Sequence, residues 1–182
     1  MASGTERGGV GSRGTVAEAL PAGANGAGSA GAGAPLMVSA SGLRGIAGKS
    51  LTPDVAARFA GALGTHLRGR LGGGRPTVVV GRDGRAGGQV VHQAALAGLM
   101  GAGCDVIDLG VAMTPTVGVM VDELEADGGM VVTASHNPQE WNGLKCLVSD
   151  RTGEQGRVGA HAPAAEEAGE IIARYGRGGW AW

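Results

Sequence analysis

The chain is poor in aromatic residues, cysteine and net charge, and it has no long hydrophobic run. Among 182 residues there are three Trp, one Tyr and one Phe. Two cysteines, Cys104 and Cys146, are too few for a disulfide framework. They read instead as half-buried free thiols in a reducing compartment, which makes a cytoplasmic location the expectation. Lys and Arg number 15 against 16 Asp and Glu, a formal net charge of −1. A nucleic-acid partner bound by phosphate neutralisation wants a basic face, so that class is excluded. No apolar stretch approaches the roughly 18 residues that span a bilayer, and no membrane partner is expected. The opening residues lack a charged segment followed by an apolar one, so no secretory signal is read.

What the chain has in excess is glycine, 38 residues. The glycines follow no period of three, which excludes collagen. Nor is the whole chain disordered, because 43% of it is hydrophobic and arranged in periodic runs. The length suits one domain. Residues 1–35 are mostly Gly, Ala and Ser without periodicity. They read as a disordered leader, since such a segment cannot bury enough apolar surface to offset its ordering entropy. Within it, Gly26-Ala27-Gly28-Ser29-Ala30-Gly31 matches the dinucleotide-binding pattern letter for letter. No strand pattern precedes it and no helix pattern follows, so the match is rejected.

Residues 36–182 read as a domain of alternating strands and helices. Leu36-Met37-Val38 is a short apolar run, followed by a loop from Ser41 to Ser50. Thr52-Pro53-Asp54 reads as an N-cap, an N1 proline and an acidic first turn. Val55, Phe59, Leu63 and Leu67 then form one buried helix stripe. Thr77 to Val80 is β-branched and continuous, as a strand covered on both faces would be. Val91, Ala95 and Leu99 mark a second helix and Asp105 to Leu109 the next strand. Thr114-Pro115 opens a third helix with Val117, Val121 and Leu124 inward. Gly129 to Val132 is another strand. Leu144, Cys146 and Val148 alternate with Lys145 and Leu147 in a further one, placed nearer an edge. A last helix runs from Pro163 to about Tyr175. The expected fold is α/β, a three-layer α/β/α sandwich around a mostly parallel, mixed sheet.

In such sheets ligands bind beyond the carboxyl ends of the strands, and the loops there hold most of the reactive residue types. Residues 43–50 nearly spell a phosphate-binding P-loop, but Leu43 stands where the first glycine belongs and the helix starts too late. Arg44 remains a possible anion contact, or a solvated arginine. Gly81-Arg82-Asp83-Gly84-Arg85 follows a strand directly. Its two arginines suit a phosphate fork with Asp83 fixing one guanidinium, or else a surface salt bridge. Thr133-Ala134-Ser135-His136-Asn137-Pro138 sets a serine on a tight turn after a buried strand. There Asn tolerates the left-handed conformation and Pro fixes φ. Phosphorylated, Ser135 would carry about −1.5 to −2 charge, which Arg44, Arg82, His136 and Lys145 would offset. The plain alternative is a polar turn. A serine hydrolase is disfavoured, because adjacent residues do not set an imidazole on a neighbouring hydroxyl and no G-x-S-x-G elbow exists.

Taken in order, Ser41-Gly42-Leu43-Arg44-Gly45, Gly81-Arg82-Asp83-Gly84-Arg85, Thr114-Pro115-Thr116, the Thr133 to Pro138 run and Asn142-Gly143-Leu144-Lys145 resemble the first domain of the α-D-phosphohexomutases. The resemblance covers about residues 37–175, one of the family's four domains. It implies that Ser135 is a phosphoserine passing its phosphoryl group between the 1- and 6-positions of a hexose or hexosamine phosphate, with a hexose 1,6-bisphosphate as intermediate. Arg44 and Lys145 match positions near the reacting phosphate, Lys145 as a proton-transfer residue, and His136 matches the active-loop histidine. Arg82 and Arg85 are expected on phosphate. The family's Mg²⁺ is held by an Asp-x-Asp-x-Asp loop of domain II plus a phosphoserine oxygen. No Asp-x-Asp occurs here, so Ser135 alone would contribute. Domains II–IV, with the sugar-selecting loop and phosphate clamp, are expected partners missing from the chain, which implies inactivity in isolation. Ser3-Gly4-Thr5-Glu6 echoes the clamp at the wrong end, and Trp180 and Trp182 suggest an interface with an absent domain. Ala86-Gly87-Gly88 replaces the family's serine, predicting a poorly capped second helix. The Ser-Gly-Leu-Arg-Gly wording leans towards the phosphoglucosamine or phosphomannose branch. The alternative function is a sugar-phosphate binding or regulatory module without catalysis.

Overall fold

The computed structural model describes residues 33–150 and 159–178, together with Met1. Most of the glycine-rich leader, its rejected dinucleotide match, the Ser3 to Glu6 echo and the two terminal tryptophans lie outside the described residues. The elements are β1 (Leu36–Ser39), β2 (Gly42–Ile46), α1 (Pro53–Arg70), β3 (Thr77–Arg82), α2 (Gly88–Gly101), β4 (Asp105–Val111), α3 (Thr114–Glu123), β5 (Gly128–Val132), β6 (Trp141–Asp150), β7 (Gly159–His161) and α4 (Ala165–Gly176).

One mixed sheet runs in the order β1-β2-β6-β5-β3-β4, with β7 paired to β6. Parallel pairing is confined to β5-β3-β4, and the remaining pairs are antiparallel. Helices cover both faces unequally. Phe59, Leu63 and Leu67 of α1 and Val91, Ala95 and Leu99 of α2 meet Val78, Val80, Met130, Val132, Leu144 and Val148, with Ile171 of α4 in the same cluster. On the other face α3 sets Val117 and Val121 against Val79 and Val131. Neighbouring residues of β3 thus enter opposite cores, which is why its valine run is continuous.

Four local expectations are corrected. The Ser41 to Ser50 segment is not all loop, because Gly42–Ile46 is β2, paired antiparallel with β6. Its glycines mask the strand pattern and one of them is obligatory. A Cβ on Gly42 would sit 2.0 Å from the Leu144 carbonyl oxygen, at a φ of +110°. The β6 strand is not near an edge but lies between β2 and β5. Its Lys145 and Leu147 face the lightly covered α3 side, so it alternates like an edge strand while lying inside. Leu124 is 41% exposed, because α3 ends at Glu123 and Leu124 falls past its last turn. Cys104 and Cys146 are buried rather than half-buried, at 2% and 6% exposure.

One cap differs in detail and another is as expected. Thr52 stands at the N-cap of α1, but its hydroxyl donates to the Asp54 carboxylate instead of capping a backbone amide. The α2 helix begins without a side-chain cap, as the Ala86-Gly87-Gly88 sequence predicts.

Candidate active site

Three strands, β2, β5 and β3, run in one direction and end on one side of the sheet, where β6 begins. The loops there are stitched together by backbone bonds. Ala47 N donates to Glu140 O at 3.0 Å, Asp83 N to Val132 O at 3.0 Å, and Thr133 N to Gly143 O at 2.9 Å. This is the carboxyl edge on which a ligand of such a sheet is expected.

Ser135 sits two residues past the Thr133 rung and is exposed. It has φ of +57°, a left-handed conformation that side chains other than Asn and Asp rarely adopt. The loop sequence points to Asn137 for that conformation, but the serine of the tight turn is the residue that adopts it. Its amide donates to Thr133 Oγ1 at 2.9 Å, and that hydroxyl donates to Asp83 Oδ2 at 2.6 Å. His136, beside it, is exposed.

Strand register gathers two of the expected cations. Arg44 on β2 lies opposite Gly143 of β6, and Lys145 is two residues further along the same face, opposite Val131 of β5. The Arg44 side chain crosses over Gly143. A Cβ there would come within 2.9 Å of Arg44 Cγ, 2.9 Å of Thr133 O and 2.5 Å of Leu43 O. Glycine is therefore the residue that leaves room for the Arg44 side chain over β6. The Arg44 Nε is buried and makes no hydrogen bond among the described residues.

The other two arginines are arranged differently. Arg82 donates from Nη1 to its neighbour's carbonyl, Asp83 O, at 3.1 Å. Its charge is among those holding the Asp108 carboxyl below its ordinary range. Partial burial, which acts the other way, is outweighed there by the Gly110 amide and His92. Arg85, expected on phosphate, is turned onto the serine loop. Its Nε donates to Asp83 Oδ2 at 3.2 Å, Nη1 to Pro138 O at 2.7 Å and Trp141 O at 3.2 Å, and Nη2 to Asn137 O at 2.8 Å and to Ser135 O. A guanidinium has five N–H donors, and all five are engaged. Asp83 does fix a guanidinium, as the sequence suggests, accepting from Arg85 N at 3.0 Å as well. Thr133 is the site residue that sequence reading missed. Its only signal is a hydroxyl two residues before the serine.

Among the described residues no three His, Cys, Asp or Glu side chains converge as a metal site, so the donor set does not fit Mg²⁺ by itself. No described helix is long and apolar enough to cross a membrane.

The family model for phosphoglucomutase/phosphomannomutase, alpha/beta/alpha domain I, matches residues 36–156. A phosphoglucomutase/phosphomannomutase of Thermococcus kodakarensis is 50% identical over 106 residues, 58% of this chain and 23% of that protein. A phosphoglucosamine mutase of Rhodococcus erythropolis is 44% identical over 108 residues, 59% of this chain and 24% of that protein. A solved structure of a phosphoglucomutase/phosphomannomutase family protein from Burkholderia thailandensis superposes with a TM-score of 0.60 at 32% identity. It covers 76% of this chain and 30% of the other. The chain thus spans about a quarter of the length of the curated relatives it matches. With its fold, its serine loop and these likenesses agreeing, the chain belongs to the phosphoglucomutase/phosphomannomutase family, whose α/β/α domain I it carries.

Proposed function

We propose that this domain carries the phosphoryl group of a hexose-phosphate mutase on Ser135. The observation that supports the reading best is an exposed serine in the left-handed conformation at the carboxyl end of β5. Arg44 and Lys145 lie across neighbouring strands. Strained, over-determined backbone of this kind clusters where a group must be presented in one direction. Phosphoryl transfer asks for positioning and charge stabilisation above all. Arg44, whose buried Nε lacks an acceptor, supplies a cation for a phosphate oxygen, and His136 a second donor beside the serine.

In the forward step the Oγ–P bond of phosphoserine breaks and phosphorus joins the free hydroxyl of a hexose monophosphate. That hydroxyl's proton passes through Lys145 to Ser135 Oγ, leaving a hexose 1,6-bisphosphate. The reverse step from the other phosphate reloads the serine and releases the isomer. By family resemblance, Mg²⁺ would neutralise the phosphoryl oxygens, held largely by residues outside this chain. Domains II–IV would supply that loop together with sugar selection. Repeated turnover by this chain alone is not expected, since selecting and turning over the sugar needs those domains, whereas loading Ser135 once from a bisphosphate asks only for the serine loop and its cations.

The test is phosphoryl loading. Incubation with glucose 1,6-bisphosphate labelled in phosphorus should place one phosphoryl group on Ser135, found by peptide mass spectrometry. Ser135→Ala should take none. Saturable binding of the sugar phosphate with no label on Ser135 would instead support a non-catalytic binding module.

A further inference from the structure

We propose that Arg85 is the positioning residue of the serine loop and does not itself hold phosphate. This rests on the reading of Ser135 as the phosphoryl carrier. The Arg85 side chain is 11% exposed, and its two terminal nitrogens collect the carbonyls of Ser135, Asn137, Pro138 and Trp141. A planar fork with fixed donor directions constrains what it binds in a way that a flexible ammonium does not. One cation therefore defines the path of the whole segment between β5 and β6.

Both peptide groups flanking Ser135 end on the same unit. Its N–H reaches Asp83 through Thr133 Oγ1, and its carbonyl reaches Arg85 directly. Asp83 and Arg85 are in turn joined by two bonds, 3.0 Å from the Arg85 amide and 3.2 Å from Nε. With both ends of the residue tied, φ stays at +57° and the direction of the Cα–Cβ bond follows. A second consequence concerns the next amide. In a trans peptide the N–H lies opposite the C=O, so turning Ser135 O onto Arg85 turns His136 N–H away from it. Asp83 also balances the charge of Arg85, which leaves the work of attracting phosphate to Arg44 and Lys145.

Three variants of the full chain decide this, Arg85→Ala, Arg85→Lys and Thr133→Val. Two readouts are used, amide hydrogen exchange over residues 134–142 and the rate of phosphoryl loading of Ser135 from glucose 1,6-bisphosphate. In loading, phosphorus moves from a sugar oxygen to Ser135 Oγ, and the Oγ proton ends on the sugar oxygen. Arg85→Ala should speed exchange in the loop alone and slow loading at saturating donor by about 100-fold, the scale of a small misplacement. The half-saturating donor concentration should stay unchanged. Arg85→Lys should not restore the rate, whereas added methylguanidine should partly restore it in Arg85→Ala. Loop exchange that stays slow while the half-saturating concentration rises would overturn the proposal and return Arg85 to phosphate binding. Should Arg85→Ala fail to fold, Thr133→Val decides, because it cuts only the amide arm and should speed exchange over residues 134–138. Unchanged exchange there overturns the proposal. A wild-type chain that takes no phosphate defeats the phosphoserine reading, and the exchange arm still tests whether Arg85 sets the loop.

Discussion

Ser135 keeps a left-handed backbone without being glycine. Such a conformation persists only where surrounding bonds over-determine it. Two substitutions separate this strain from the loss of the hydroxyl, since Ser135→Ala and Ser135→Gly both remove Oγ. Glycine adopts positive φ at no steric cost and alanine does not, so Ser135→Gly should be more stable than Ser135→Ala by about 1 kcal/mol in urea unfolding. Equal stabilities would mean that the loop relaxes freely and holds no strain. At this scale the sequence revealed chemistry better than contacts. That Asp83 fixes a neighbouring guanidinium was legible, because both charges sit two residues apart. That Arg85 spends its remaining donors on the serine loop was not. Its acceptors are backbone carbonyls some fifty residues away, and a carbonyl carries no residue identity.

Among the elements, α4 is fastened to α1 by polar contacts as well as by Ile171. Glu167 on α4, 12% exposed, meets His66 Nε2 at 3.0 Å and Arg70 Nη1 at 3.1 Å. The His66 hydrogen bond, with the charge of Arg70 behind it, holds the Glu167 carboxyl below its ordinary value of 4.5 against the opposing effect of burial. A carboxyl more acidic in the folded state than in the unfolded one binds fewer protons when folded. Its contribution is therefore complete above pH 4.5 and lost as pH falls below it, through the lowered folded value. The melting temperature should drop over that acid window, and Glu167→Gln should flatten the drop while lowering stability at neutral pH. A variant with the wild-type acid profile would show that the pair contributes nothing. Elements were legible where periodicity was strong, as in α1 and β3. The β2 strand was hidden by two glycines, one of them demanded by the Leu144 carbonyl beside it. The interior place of β6 was hidden because the strand on its outer side, β2, comes from a segment about a hundred residues earlier.

Over the whole molecule, alternating strands and helices sufficed to anticipate an α/β/α sandwich. The direction of strands beyond β5 depended on short connections that composition does not orient. Both thiols lie in the larger core cluster, between the sheet and the α1, α2 and α4 layer. Burial pushes Cys104 from an ordinary value of 9.0 up to about 11, and Cys146 up to about 12. Between pH 9.0 and about 11 the folded chain keeps two protons that the unfolded chain releases, so unfolding is favoured as pH rises. Stability should hold up to about pH 9.0 and then decline steadily towards pH 11. Tyr175, also raised chiefly by burial, adds to the decline only above its ordinary value of 10.0. The double variant Cys104→Ala/Cys146→Ala isolates the thiols, because it loses packing equally at every pH and keeps the tyrosine. Its melting temperature should start lower than that of the wild type and fall less between pH 9 and pH 10. If the two curves run parallel across that unit, the thiols already ionise in the folded state and the helical layer does not seal them from water.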